Sequence, residues 1–386
     1  MIAKTFKKLL LALVATHLAA CTINPYYDEK KAHHTEQGFT NTDGVAIKKP
    51  LSELLKWQLH RTLNSLPPKP QTPTPQVAAD LTFIQANAKA GKLMTPAVTW
   101  IGHASTLVQA SGLNVLTDPI LSEYAGPVKY VAPQRTQAPG LTLAQLPRID
   151  VVLISHNHYD HLDAPTILDL NQQAGGPPLF VVPLGIKEWM KDLGVTNVRE
   201  LDWWHSYRVH DVNFILTPVR HWSARQGNDF NQTLWGGWAV MGETFQWYFS
   251  GDTGYSQDFS DIKNRVKGLQ TPELGGGFDL ALIGIGAYAP RWFMSDQHVD
   301  PSEAIKIHQD LAAKRSIGVH WGTFNLSDEA LDQPPKDLAN ARDAARLDKD
   351  EFSVMAIGET RKFPMRIQAS ATPSVASGNA ISPPTQ

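Results

Sequence analysis

The feature that most constrains this chain is the run His156-Asn157-His158-Tyr159-Asp160-His161, which closes the apolar stretch VVLISH at 151–156. Three imidazoles and a carboxylate in one short turn crowd each other at a cost unless something compensates. The donor set suits a borderline cation such as zinc. The apolar stretch reads as a buried strand entering a loop, so the polar run is delivered to one end of a sheet. On a tight loop, His156 and His158 can face one metal while Asp160 and His161 face another. A coincidental histidine-rich surface turn is the alternative, but more donors follow strand-like runs downstream. They are His221 in TPVRHW, Asp252 in SGDTGY and His320 in GVHWGTF. Singly, each reads as a hydrogen-bonded structural residue. Together with the first cluster they make seven ligands, enough for two metals if one carboxylate bridges and water fills the remaining positions.

Composition narrows the chemistry. The 386 residues include fourteen His and a single Cys, which excludes an internal disulfide framework and any cysteine-rich metal site. Thirty-five Lys and Arg against thirty-seven Asp and Glu leave a formal charge of −2, too balanced to hold nucleic acid by bulk electrostatics. Charged residues make up 19% and hydrophobic residues 42%, as in a globular chain.

That lone Cys stands at position 21. Before it come a basic stretch (Lys4, Lys7, Lys8) and an apolar run, Leu9 to Ala20, too short to span a bilayer. The run ends Leu18-Ala19-Ala20-Cys21, the pattern of a bacterial lipoprotein signal. Residues 1–20 are therefore read as a signal peptide and Cys21 as an acylated anchor, with ordinary secretion as the alternative. Thr22, in place of Asp, directs the expectation to the outer membrane, facing the periplasm. Residues 21–96 form an N-terminal region. Within it, LSELLKWQLHRTLNSL (51–66) has helical periodicity, with Leu51, Leu54, Leu55, Leu59 and Leu66 near one face, and PPKPQTPTPQ (67–76) reads as a stiff extended linker. His33, His34 and His60 are expected to be solvated. The last segment, 369–386, has the composition of a disordered tail.

Between these ends, 97–368 alternates short strand-like runs with turns and helices, which indicates an α/β layered domain. VTWIGHASTLVQ (98–109) and LNVLTDP (113–119) read as a hairpin around Ala110-Ser111-Gly112. Asp300-Pro301-Ser302-Glu303 reads as a capping box opening a helix. Asp118 is read as a support for the ligand loops and His103 as core or support, with substrate contact the second choice.

The pattern HxHxDH followed by a His, a Gly-Asp pair and a last His resembles the metallo-β-lactamase superfamily, which implies a four-layer αββα sandwich. LISHNHYDHLD, ELDWW, LWGGW, SGDTGY, GAYAPRWFM, QHVDP and HWGTF resemble one branch, the phospholipases D that hydrolyse N-acylphosphatidylethanolamine. The likeness covers about 97–330 with motif order kept. It implies two zinc ions per chain, or another divalent transition metal. His156, His158 and His221 would hold one, Asp160, His161 and His320 the other, with Asp252 bridging. Tyr159 and His298 match positions that touch phospholipid, and Asp160 and His298 would share in catalysis. The implied reaction is attack of metal-activated water on phosphorus, releasing phosphatidic acid. A lactonase, a phosphodiesterase for small metabolites and a lipid-anchored metal-binding protein without turnover remain as other readings.

Overall fold

The computed structural model describes residues 24–270 and 276–366. The signal peptide, Cys21 and the tail at 369–386 lie outside the described residues. A two-residue pair, β1 (His34–Thr35) and β2 (Gly38–Phe39), precedes two seven-stranded sheets. The first sheet contains β3 (Ala97–Gly102), β4 (Ser105–Ala110), β5 (Leu113–Thr117), β6 (Val151–Leu153), β7 (Leu179–Pro183) and β8 (Val198–Leu201). The second contains β9 (Ser206–Val209), β10 (Val212–Thr217), β11 (Gly237–Met241), β12 (Gln246–Phe249), β13 (Leu280–Gly284), β14 (Ser316–Val319) and β15 (Phe352–Ser353). β16 (Thr360–Lys362) returns to the first sheet beside β3.

Each sheet begins as an antiparallel meander and continues in parallel. In the first, β3, β4 and β5 alternate, then β5 through β8 run parallel. In the second, β9 through β12 alternate, then β12 through β15 run parallel. The helices are α1 (Leu51–Asn64), α2 (Leu81–Asn87), α3 (Ala164–Asn171), α4 (Ile186–Asp192), α5 (Asp258–Val266), α6 (Arg291–Met294), α7 (Pro301–Asp310) and α8 (Gln333–Ala344).

Strand periodicity explains the layers. Successive side chains point to opposite faces, so a strand buried on both sides is apolar without interruption. On β6 and β7, Val151, Leu153 and Val181 enter the core between the sheets, together with Trp100, Phe214, Trp238, Phe249 and Leu282. Their neighbours Val152, Ile154, Phe180 and Val182 enter a second core beneath α3 and α4, with Ile167, Leu170, Ile186 and Met190. Helix α7 begins as the sequence implied: the Glu303 amide donates to Asp300 Oδ1 at 2.9 Å, and the Asp300 amide donates to Glu303 Oε2.

Two expectations need correction. The run 98–109 is not one strand. It turns at His103-Ala104, where Gly102 pairs with Ser105 and His103 takes φ 54°, so β3, β4 and β5 form a three-stranded meander. Nor are His33 and His34 solvated. Asp202, on the turn after β8, receives His33 Nε2 at 2.8 Å, His34 Nε2 at 3.0 Å and Lys31 Nζ at 2.5 Å, and His33 stacks on Trp203 at 4.4 Å. The Pro-rich segment is likewise tied down. The Gln71 and Thr72 amides donate to Asp332 Oδ2, Thr74 Oγ1 donates to Gly322 O at 2.6 Å, and the Val77 amide donates to Ile357 O.

Candidate metal centre

All seven candidate ligands converge at the carboxyl ends of strands. Residues 156–161 follow β6, and the loop folds back because the His161 and Leu162 amides both donate to His158 O. Beyond β10 comes His221, Asp252 follows β12, and His320 directly follows β14 with φ 59°. Gly251 is held at φ 55°, and a Cβ there would meet Ser155 Cβ at 2.5 Å. This close approach of β12 to the loop after β6 sets Asp252 among the histidines.

The donor atoms fall into two sets. In the first, His156 Nε2 lies 2.7 Å from His158 Nδ1, which lies 3.3 Å from His221 Nε2. In the second, Asp160 Oδ2 lies 3.3 Å from His161 Nε2 and 3.4 Å from His320 Nε2. Asp252 stands between them. Its Oδ2 is 3.1 Å from His161 Nε2 and 3.9 Å from both His156 Nε2 and His221 Nε2, while its Oδ1 is 3.2 Å from His320 Nε2.

Bonds on the far side of each ring decide what the near side can do. Ser155 Oγ spends its one proton on Asp118 Oδ2 at 2.5 Å and so accepts from His156 Nδ1 at 2.9 Å. His161 Nδ1 donates to Asp118 Oδ2 at 2.7 Å, and His221 Nδ1 donates to Gln297 O at 3.0 Å. These assignments put the protons outside and aim the bare Nε2 lone pairs of His156, His161 and His221 inward. His161 Nε2 and His320 Nε2 are buried without a hydrogen-bond partner. Buried lone pairs facing carboxylates repel unless a proton or a cation sits among them, so this donor set fits divalent metal.

The electrostatics agree. Burial, helped by the neighbouring imidazoles, holds His156 well below the ordinary histidine value. Burial does the same to His221, and it takes His158 down to about 4 although Asp160 opposes it. Rings in that state are neutral, as ligands must be. Burial alone would raise Asp160 and Asp252, yet His161 and the other facing rings hold both carboxylates well below their usual range. Despite its own burial, His161 is raised well above the usual value by Asp252 and Asp160.

Other predicted residues take distinct places. His298 is at the edge of the centre, its Nδ1 3.8 Å from Asp252 Oδ2 and its ring stacked on His320 at 5.5 Å. Burial lowers it to about 4. Tyr159, half-buried on the ligand loop, carries the Arg225 guanidinium on its face at 4.1 Å. Asp118 supports the loop, as expected, by also accepting the Ser155 amide. His103 is a support as well: its Nε2 lies 2.9 Å from Asp160 Oδ2, and its carbonyl accepts the His320 amide.

Arg225 was missed from the sequence. It lies between Tyr159 and Trp189 and donates to the carbonyls of Asn157 and Leu162, bracing the ligand loop from behind. An Arg four residues past a ligand His carries no local signal of that role. A cleft of about 470 Å³ opens beside it, lined by Tyr26, Asn157, Leu162, Trp189 and Gln232 among others.

Comparison with known proteins follows the same lines. The family model of the beta-lactamase superfamily domain matches residues 113–321. N-acyl-phosphatidylethanolamine-hydrolyzing phospholipase D 1 of Caenorhabditis elegans is 38% identical over 271 residues, covering 67% of this chain and 73% of that protein. The mitochondrial N-acyl-phosphatidylethanolamine-hydrolyzing phospholipase D of Saccharomyces cerevisiae is 39% identical over 69% of this chain and 55% of its own length. Among solved structures, the isothiocyanate hydrolase from Delia radicum gut bacteria shares the fold, with TM-score 0.55 and 18% identity over 69% of this chain and 99% of that one. With its two sheets and its His and Asp clusters at their carboxyl ends, the chain belongs to the beta-lactamase superfamily domain family, as a metal-dependent hydrolase related to the phospholipases D that hydrolyse N-acylphosphatidylethanolamine.

Proposed function

We propose that the protein is a dinuclear zinc phosphodiesterase of phospholipase D type. It would release phosphatidic acid from N-acylphosphatidylethanolamine or a related phospholipid, from a position anchored to the outer membrane through acylated Cys21. The observation that carries this reading is the placement of Asp252 between two complete donor sets, with an uncommitted imidazole, His298, at their edge. His156, His158 and His221 would hold one ion and Asp160, His161 and His320 the other, with Asp252 shared.

When bound, such a pair acidifies water and offers Lewis acidity to a phosphoryl oxygen. The chain's own residues supply the remainder. Asp160, held by His103 at 2.9 Å, orients the attacking water with the carboxylate edge it keeps free. His298 is neutral at physiological pH, because burial keeps it to about 4. Its Nδ1 faces Asp252, so Nε2 is the nitrogen open to substrate, and it would donate to a phosphate oxygen or the departing alkoxide when the ring's one proton sits there and a cation occupies the Asp252 side. Tyr159, backed by Arg225, presents its hydroxyl from the loop beside the ligands.

The test is metal-loaded full-length protein against N-acylphosphatidylethanolamine, phosphatidylcholine, small phosphodiesters and lactones, with products identified by mass. Phosphatidic acid with an N-acylethanolamine is the expected pair. Turnover of lactones or small diesters with none of the lipids would replace the phospholipase reading while keeping the hydrolase.

A further inference from the structure

Helix α1 sits on the protein with its leucines turned away. A single aromatic side chain anchors it: Trp57 stacks on Phe293 at 4.8 Å and donates from Nε1 to Asp328 Oδ1 at 3.0 Å. Arg61 adds an ion pair to Asp328 at 3.2 Å, and Lys49, just before the helix, pairs with Asp296 at 3.6 Å. Leu51, Leu55, Leu59 and Leu63 follow one another at four-residue spacing and so form one continuous stripe. They are 69%, 59%, 60% and 74% exposed. Beside the stripe, Trp292 of α6 is 45% exposed and lies under the ammonium of Lys56 at 4.6 Å. Four leucines and a tryptophan held in water by their own protein call for an occupant.

Charge selects it. Residues 48–69 hold Lys48, Lys49, Lys56, Arg61 and Lys69 against the single carboxylate Glu53, in a chain whose overall charge is −2. Lys48, Lys56 and Lys69 are exposed. A second copy would bring two basic helices face to face across a twofold axis and repel. An anionic bilayer satisfies both features at once, with acyl chains for the leucines and phosphates for the lysines; Trp292 stands at the level where an indole favours the headgroup boundary.

We propose that α1 is an interfacial helix that lays its leucine stripe into an anionic lipid surface. The inference does not require the substrate to be a lipid, nor Cys21 to be acylated. The helix rests on Phe293 and Met294, and the next turn of the chain carries His298 to the metal centre. Docking therefore fixes that loop against the membrane.

The natural Cys is unique, so Leu59→Cys in a Cys21→Ser full-length chain gives one site for an environment-sensitive dye. Lys349→Cys in the same background labels an exposed position after α8. Vesicles of phosphatidylcholine with phosphatidylglycerol should blue-shift the dye at 59 and shield it from an aqueous quencher, with little change at 349. Phosphatidylcholine alone should do much less. Lys48→Gln with Lys56→Gln should raise the lipid concentration for half-maximal shift roughly tenfold or more. Equal responses at 59 and 349, or none at 59, would overturn the proposal. Shielding at 59 that grows with protein concentration in the absence of lipid would assign the face to a second copy instead. Because no readout is turnover, failure here leaves the phospholipase reading standing, and the converse.

Discussion

Asp118 touches none of the inward-facing nitrogens, yet through Ser155 and directly it sets the proton on both His156 and His161. Replacing it with Ala should leave all seven ligands in place and still weaken metal binding by about 10–100-fold, the usual cost of losing such an outer partner. Competition with a chelating dye reads this directly. Asp252→Ala acts on both donor sets and should deplete the two proposed ions together; loss of one only would mean the carboxylate is not shared. His298 touches Asp252 from outside the sets. His298→Ala should keep both ions and its melting temperature while losing about 10²–10⁴-fold in rate; loss of metal along with activity would make it a structural residue. The ligand positions stood out in the sequence because each ends a strand-like run. Arg225 did not, and for His103 the sequence offered support without its partner, since Asp160 and the carbonyls at 157 and 162 lie 57 to 68 residues away and are joined only by the fold.

At the scale of elements, the strands with continuous apolar runs were readable even where short, as β6 is, and the polar or half-exposed ones were not. Strands β8 and β9 have four residues each, and neither face of β9 is buried, so its exposed–intermediate alternation carries no apolar run to mark it. The turn at His103-Ala104 was hidden because the residues on both sides of it, polar Ser105 and Thr106 included, are buried like strand interiors. The N-terminal segment was misread for another reason: its His33 and His34 find their carboxylate in Asp202, about 170 residues on. Asp202 is held well below the usual carboxylate range, since His33 and Lys31 outweigh the effect of its burial. A depressed carboxylate stabilises the fold fully above its unfolded value of about 3.9 and loses that contribution as pH falls through the folded one. His34 is lowered by burial, with Asp202 pulling it back up. Removing Asp202 drops it further, so Asp202→Asn should lower stability by about 2–3 kcal/mol at neutral pH, less than a fully buried pair because Lys31 is partly exposed. The deficit should widen only once pH falls below the folded value of His34, which lies under 6.5, and narrow below about 4, where the unfolded wild-type carboxyl takes up its proton. Melting curves of both proteins across that range check the sign; a deficit flat from pH 7 to 3 would remove Asp202 as the clamp.

For the whole molecule, the two sheets hold different halves of the ligand set. Residues 156–161 leave the first sheet after β6, whereas His221, Asp252 and His320 leave the second after β10, β12 and β14. Each proposed ion takes ligands from both, so metal would join the sheets at their carboxyl ends in addition to the apolar core between them. A ligand bound only by the native state stabilises by mass action, about 4 kcal/mol at a thousandfold excess over its dissociation constant. For a chain of this size that corresponds to a melting shift of about 5 °C. Chelation should therefore lower the melting temperature by roughly that amount and raise amide exchange at the ends of β6, β12 and β14 together. Zinc should reverse both, and magnesium, which prefers all-oxygen sites, should reverse neither. Loosening confined to the end of β6 would mean the ions do not bridge the sheets, and the partition of His221 and His320 between the two donor sets would have to be redrawn.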